Sequence, residues 1–130
     1  MISLDTNVLV RVLVDDPDNP SQNKSARILA AKYKQFYITQ IVQAELYWVL
    51  SKCYKFHKDA ILVALNELLT NEAFILENAK LYDEALHVYK LHKADFADIL
   101  ILTNSKHNGS KHVFTFDKSF AKLQGVRLVE

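Results

Sequence analysis

Glycine is nearly missing from this chain. Its two glycines, Gly109 and Gly125, stand apart near the C-terminus, so neither a G-x-G-x-x-G turn nor a phosphate-cradling P-loop can be built. Simple dinucleotide and P-loop chemistries are excluded on that ground. Cysteine is rarer still: Cys53 stands alone, which rules out an internal disulfide and suits a reducing compartment. The two prolines, Pro17 and Pro20, fall together in Asp15-Asp16-Pro17-Asp18-Asn19-Pro20, the one clear loop. A long apolar run is absent as well. The N-terminal apolar residues have no basic flank and meet Asp5 almost at once, so neither a signal peptide nor a membrane span is expected, and the expected location is the cytoplasm. Nor is there an excess of either charge: a formal net charge of +1 provides no global steering field, so contact with a nucleic acid requires a local patch.

What is present reads as an alternation of strands and helices. Ile2 to Leu4 is a short apolar run of the kind that forms a strand covered on both faces. Val8 to Val14 predicts a helix, Ser21 is placed to cap another through Tyr33, and Phe36-Tyr37-Ile38 predicts a second strand. Thr39 caps a helix running to about Tyr54, Lys58 to Asn71 carries Ile61, Leu62, Leu65 and Leu68 along one side, and Ala73 to Leu76 is again strand-like. Lys80 to Lys93 and Phe96 to about Lys106 are helical, with Gly109 as the stop signal. His112 to Phe116 and Val126 to Val129 complete the strands. Such alternation implies βαβ units, hence an α/β fold: a three-layer α/β/α sandwich around a mainly parallel central sheet. At 130 residues, with no linker or repeat, residues 1–130 are expected to form one domain.

Four positions put an acid where the apolar pattern does not ask for one. Asp5 follows the first strand, and the carboxyl ends of strands in open α/β sheets are where ligands bind. It is equally placed to cap the next helix. Glu45 has Ile41, Val42, Trp48 and Val49 as its helical neighbours, which puts it on a core-facing stripe. Asp95 and Asp98 share a helix face, and Asp98 runs directly into Ile99-Leu100-Ile101-Leu102. Asp117 repeats the arrangement of Asp5 after Val113 to Phe116. If the two strands are adjacent and parallel, the two acids face each other; otherwise Asp117 is an ordinary turn residue.

Clustered carboxylates repel, and a divalent cation reverses the sign of that interaction. Hard oxygen donors with few others suit Mg²⁺ or Mn²⁺. The five histidines, His57, His87, His92, His107 and His112, show no zinc spacing, and the single Glu84/His87 pair cannot assemble a di-iron site. They are expected to face solvent. Two basic side chains near the acids, Arg11 and Lys118, are candidates for contacting substrate phosphate or are plain surface charges.

Taken in order, Leu4-Asp5-Thr6-Asn7, Glu45 within the third helix, Asp95-Phe96-Ala97-Asp98-Ile99-Leu100-Ile101 and Thr115-Phe116-Asp117 give the chain a resemblance to the PIN-domain family, and within it to the VapC-type ribonuclease toxins of type II toxin–antitoxin modules. The resemblance implies a single PIN-like nuclease domain in which Asp5, Glu45, Asp98 and Asp117 are catalytic and hold the metal. Asp95 is a further candidate ligand, and Thr6 and Thr115 are supporting hydroxyls. It implies RNA as the substrate, hydrolysed at phosphodiester bonds by metal-activated water. It also implies a cognate antitoxin protein and a homodimer as partners. Tyr47, Leu50 and Tyr54, on a stripe distinct from that of Glu45, either form such an interface or pack inward beneath the next helix. Competing classes are a receiver-like signalling domain and a non-catalytic acidic-site binding module. The receiver needs a phosphoacceptor Asp ending a central strand and a Lys ending a late one, whereas the middle strands here lead into Thr39 and Glu77.

Overall fold

A computed structural model describes residues 1–130. The chain divides into two compact units, Met1–Ala79 and Lys80–Glu130. All strand pairs are parallel, as expected of a mixed α/β fold.

In the first unit, β1 (Ile2–Ser3), β2 (Phe36–Ile38) and β3 (Phe74–Leu76) form a three-stranded sheet in that order, with Ile2 opposite Phe36 and Phe36 opposite Phe74. Phe36 and Ile38 are buried, in keeping with a strand covered by helices. Around the sheet run α1 (Thr6–Leu13), α2 (Pro20–Lys32), α3 (Gln40–Trp48) and α4 (Lys58–Thr70), with α1 packed on both α2 and α3. The core is made by Leu9, Val10, Leu46, Leu50, Leu65 and Leu68, each fully or almost fully buried. Each such side chain contributes about 1.5–3 kcal/mol through removal of apolar surface from water.

Helix ends follow local chemistry. The hydroxyl of Thr39 accepts the amide of Val42 at 3.3 Å, as its position in the sequence predicts for an N-cap. The start of α2 differs from expectation: Asn19 is the N-cap and makes no side-chain cap bond, while Pro20 occupies the first turn in place of a Ser21 cap. Proline is suited there because its missing N–H has no helical acceptor in any case. The third helix also ends sooner than its apolar pattern suggests, since after Trp48 the backbone widens into a π-helical turn, Val49–Cys53.

An unforeseen polar network ties α3 to the sheet. Gln43, fully buried, donates from Nε2 to the carbonyls of Ile38 and Glu77 at 3.2 and 2.9 Å. The Glu77 carboxylate accepts the amide of Gln40 at 2.7 Å. An acid at a helix N-terminus satisfies an orphan N–H and complements the dipole. The Asp15–Pro20 loop is likewise built around one group. Asp16 accepts from Tyr54 Oη at 2.9 Å, Asn19 Nδ2 at 2.9 Å and the Asp18 amide at 2.9 Å, and pairs with Arg11 at 3.5 Å. The hydrogen bonds from Asn19, Asp18 and Tyr54 hold its carboxyl below the ordinary carboxylate range, with a smaller contribution from Arg11.

The second unit comprises α5 (Ala79–Leu91), whose first residue closes the first unit, α6 (Phe96–His107), and a two-stranded sheet of β4 (Val113–Thr115) with β5 (Val126–Leu128). Phe96 lies edge-on to Tyr82 and Tyr89, at ring separations of 5.4 and 5.7 Å, and all three rings are buried. Gly109 ends α6 as its place in the sequence predicts. At φ 86° it allows the Gly109 amide to reach the Lys106 carbonyl and the Ser110 amide the Ser105 carbonyl, a Schellman closure. The hydrogen-bonded partner of β4 is β5 and not β1, so the conditional pairing that would set Asp5 opposite Asp117 across adjacent strands is not the one formed.

Candidate functional site

In the first unit, β1 and the buried Leu4 deliver Asp5 to the start of α1. Asp5 is exposed and is the N-cap: one carboxylate oxygen accepts the Val8 amide at 3.1 Å. The two readings of Asp5 are therefore compatible, because capping occupies Oδ1 and leaves the other oxygen for a ligand. Thr6, the first residue of α1, is buried and donates its hydroxyl to Glu45 Oε1 at 3.0 Å. That bond joins α1 to α3 and orients the Glu45 carboxylate.

Glu45 itself is not on the core-facing stripe. It is exposed, and its helical neighbours Ile41 and Trp48 are 74% and 53% exposed. The buried face of α3 is Val42, Gln43, Leu46 and Tyr47, continuing to Leu50. Hydropathy misled here because two large apolar residues face solvent while a glutamine is buried between carbonyls. By the same rotation Tyr47 and Leu50 are interior, and Tyr54 is tied to Asp16. The alternative of an exposed interface along that stripe is thus overturned.

A groove of about 330 Å³ lies beside Asp5, lined by Asn7, Val8, Arg11, Gln22, Ser25, Ala26 and Leu29. Arg11 is committed within it: its guanidinium donates to the Asn7 carbonyl at 3.1 Å and to Asp16 at 3.5 Å. Its Nε is buried without a hydrogen-bond partner.

In the second unit, Asp95 occupies the N-cap position of α6 without making a side-chain cap bond, and Asp98 sits in the first turn. Asp98 is half-buried. Desolvation, then the neighbouring charges of Asp95 and Asp117, push its carboxyl above the ordinary value of 3.8. Thr115 ends β4, and its hydroxyl accepts the Asp117 amide at 3.0 Å. Asp117 Oδ1 in turn accepts the amides of Ser119 and Phe120, at 2.8 and 3.2 Å. As at Asp5, an acid just past a strand caps the following turn with one oxygen. Lys118 is exposed. All five histidines are exposed as expected; His87 pairs with Asp83 and His107 with Glu84, both on the surface.

Asp5, Glu45, Asp98 and Asp117 take part in none of the ion pairs of the chain, which instead use Asp15, Asp16, Asp83 and Glu84. No three Asp, Glu, His or Cys side chains gather closely enough to enclose a cation by themselves. The donor set is nonetheless suited to a hard divalent ion. Mg²⁺ is commonly held by one or two carboxylates, keeps several waters, and is completed by substrate phosphates. Asp98 is raised first by its burial and then by Asp95 and Asp117, with no cationic partner beside it.

The chain is 27% identical over 121 residues to the VapC ribonuclease of Aquifex aeolicus (strain VF5), an alignment spanning 92% of this chain and 90% of that protein. Among solved structures it is similar to the sarcin-ricin loop cleaving toxin VapC20 of Mycobacterium tuberculosis, at 17% identity and a TM-score of 0.46 over 94% of each chain. No helix is long and apolar enough to cross a membrane. The model of the PIN domain matches residues 2–126, nearly the whole sequence, and the chain belongs to the PIN-domain family.

Proposed function

We propose that this protein is a Mg²⁺- or Mn²⁺-dependent endoribonuclease, the toxin of a type II toxin–antitoxin module, in which Asp5, Glu45, Asp98 and Asp117 are the catalytic, metal-holding acids and Asp95 is an additional ligand. The observation that carries the reading is the coincidence of PIN-domain membership with four acids free of any ion pair, one of which, Asp98, is raised by burial and then by its acidic neighbours. Likeness to a VapC ribonuclease over most of both chains supports RNA as the substrate and an antitoxin as a partner. A homodimer in the cytoplasm is part of the same proposal, as is residues 1–130 acting as a single nuclease domain.

Each residue has a defined task. Asp5 and Asp117 each spend one oxygen on local capping, which fixes the carboxylate and aims the second oxygen outward. The Thr6 hydroxyl orients Glu45, and Thr115 holds the backbone that carries Asp117. When bound, the divalent ion would acidify water for in-line attack and compensate charge on the phosphate and the leaving oxygen. Lys118 is free to meet substrate phosphate, whereas Arg11 would do so by exchanging Asp16 for the ligand.

The test is cleavage of an RNA panel with Mg²⁺, with Mn²⁺ and with EDTA. Metal-dependent cleavage that is lost in Asp5→Asn and Asp98→Asn is expected. Full activity of either variant, or activity indifferent to chelation, overturns the assignment.

A further inference from the structure

Residues Ser110 to Glu130 hold Lys111, His112, Lys118, Lys122 and Arg127 against two acids, Asp117 and the C-terminal Glu130, in a chain whose overall charge is close to zero. The five basic side chains are exposed. Two large aromatic rings are exposed among them: Phe114 at 63% and Phe116 at 83%. Strand alternation turns Phe114 to the face opposite Val113 and Thr115, and the parallel register sets Arg127 beside it. Phe116 lies one residue beyond β4, between Thr115 and Asp117, and is the most exposed large apolar side chain of the chain. A groove lined by Phe114, Arg127, Leu128, Val129 and, at its end, Glu130 continues this surface.

Exposed phenylalanine is unfavourable unless something covers it, and here its neighbours specify what. Aromatic residues and arginine also anchor protein interfaces, but the core of such a patch is depleted of charge, whereas basic side chains surround the rings here. Exposed rings interleaved with cations match single-stranded nucleic acid, whose bases stack on aromatic faces while its phosphates meet lysine and arginine. We infer that Phe116, with Phe114 and Arg127, forms a stacking platform that receives unpaired nucleobases of the RNA substrate beside Asp117. This rests on the nuclease reading above and adds to it the residues that grip the strand. The platform favours substrates whose bases are already splayed, such as loops, because a paired base would first have to leave its stack. Phe116 is a positioning residue: it holds the strand and takes no part in bond breaking.

The test uses the full-length chain and a short unstructured RNA oligonucleotide, with affinity measured by fluorescence anisotropy in EDTA and cleavage measured in Mg²⁺. Phe116→Leu keeps an apolar side chain of similar size and removes the π-face. It should weaken RNA affinity about ten-fold, in the lower half of the range for one base–aromatic stack because leucine keeps some apolar contact, while Phe116→Tyr and Phe116→Trp stay within about three-fold of wild type. The loss should appear in KM and leave kcat nearly unchanged, since stacking holds ground state and transition state alike. The slope of log affinity against log salt should be unaltered in Phe116→Leu and shallower by about 0.7 in Arg127→Ala, the value for one phosphate contact on a single strand. A side chain so exposed can be replaced without unfolding the protein, and an unchanged melting temperature verifies this. Wild-type affinity and KM in Phe116→Leu, with wild-type cleavage intact, overturn the platform and leave the nuclease reading standing. Unchanged RNA affinity together with an altered sedimentation coefficient overturns it in favour of a protein interface. A wild type that neither binds nor cleaves RNA overturns both.

Discussion

The two units fix Asp5 and Asp117 alike, through backbone amides, but hold Glu45 and Asp98 in opposite ways. In Met1–Ala79, Glu45 is met by the hydroxyl of Thr6 and Asp5 by an amide of its own helix, so neutral donors pre-arrange the carboxylates at little electrostatic cost. In Lys80–Glu130, Asp98 is partly desolvated and faces the charges of Asp95 and Asp117. A neutral donor orients Glu45, whereas burial and then like charge disfavour the ionised form of Asp98. The difference separates two requirements of a metal-dependent site: ligands must point correctly, and their mutual repulsion must be large enough to make a cation welcome.

The largest effect should come from removing a carboxylate on either side. Asp5→Asn and Asp98→Asn are each expected to lower metal-dependent RNA cleavage by at least about 100-fold, measured as kcat/KM. Stability should nevertheless divide them. Asparagine caps a helix as well as aspartate does, so Asp5→Asn should leave metal-free stability unchanged. Asp98→Asn should raise it at neutral pH, by less than about 1 kcal/mol given how much of the group is screened by solvent. Equal stability changes in urea titrations would erase the contrast.

Next in size is the orienting hydroxyl. Thr6→Val preserves shape and removes the donor to Glu45, which should cost about ten-fold in kcat/KM and about 1 kcal/mol in stability. Thr115→Val loses only the acceptor for the Asp117 amide and should affect activity less. A larger effect at Thr115 would reverse the assignment of pre-organisation to the first unit.

Acid titration of stability sharpens the comparison, because two carboxylates are displaced in opposite directions. The folded state binds the Asp98 proton more tightly than the unfolded state does. Its stabilising contribution is therefore complete below 3.8 and is lost as pH rises through the raised folded value. Asp16 behaves conversely: its contribution is present above 3.8 and is lost as pH falls through the lowered folded value. Added Mg²⁺ should flatten the first dependence and leave the second intact. The smallest change is expected from Tyr54→Phe, which deletes one of the bonds to Asp16 and should shift the acid-unfolding midpoint slightly to higher pH. An acid limb indifferent to Tyr54→Phe would remove Asp16 as its source.

Much of this was legible in the residues. The alternation of strands and helices, the Thr39 cap and the Gly109 stop are local signals, and each depends on a few neighbouring side chains. The acids of both units were visible because each interrupts an apolar pattern. What local pattern cannot provide is rotation and pairing. Ile41 and Trp48 look like core and are exposed, whereas Gln43 looks like surface and is fully buried, because its amide meets the carbonyl of nearby Ile38 and that of distant Glu77. Strand order is non-local in the same sense: nothing within Val113–Thr115 specifies that Val126–Leu128 will lie beside it. Asp16 stood in plain sight as one acid among several in a proline loop, and only the arrival of Tyr54 from far along the chain makes it the loop's anchor.

The π-helical turn at Val49–Cys53 acts as a phase shifter. A helix advances about 100° per residue, and a π turn accommodates one residue more than an α turn. Everything beyond it is thereby rotated by roughly that angle relative to a helix continued without it. The rotation is what aims Tyr54 at Asp16 and lets its ring meet Phe56 edge to face at 5.7 Å. A single-residue deletion between Val49 and Cys53 would restore an unbroken α-helix, yet it would swing Tyr54 away from the Asp15–Pro20 loop and leave Asp16 without its hydroxyl donor. The turn works as a one-residue spacer: outside the buried Leu50, its length matters more than the identity of its side chains.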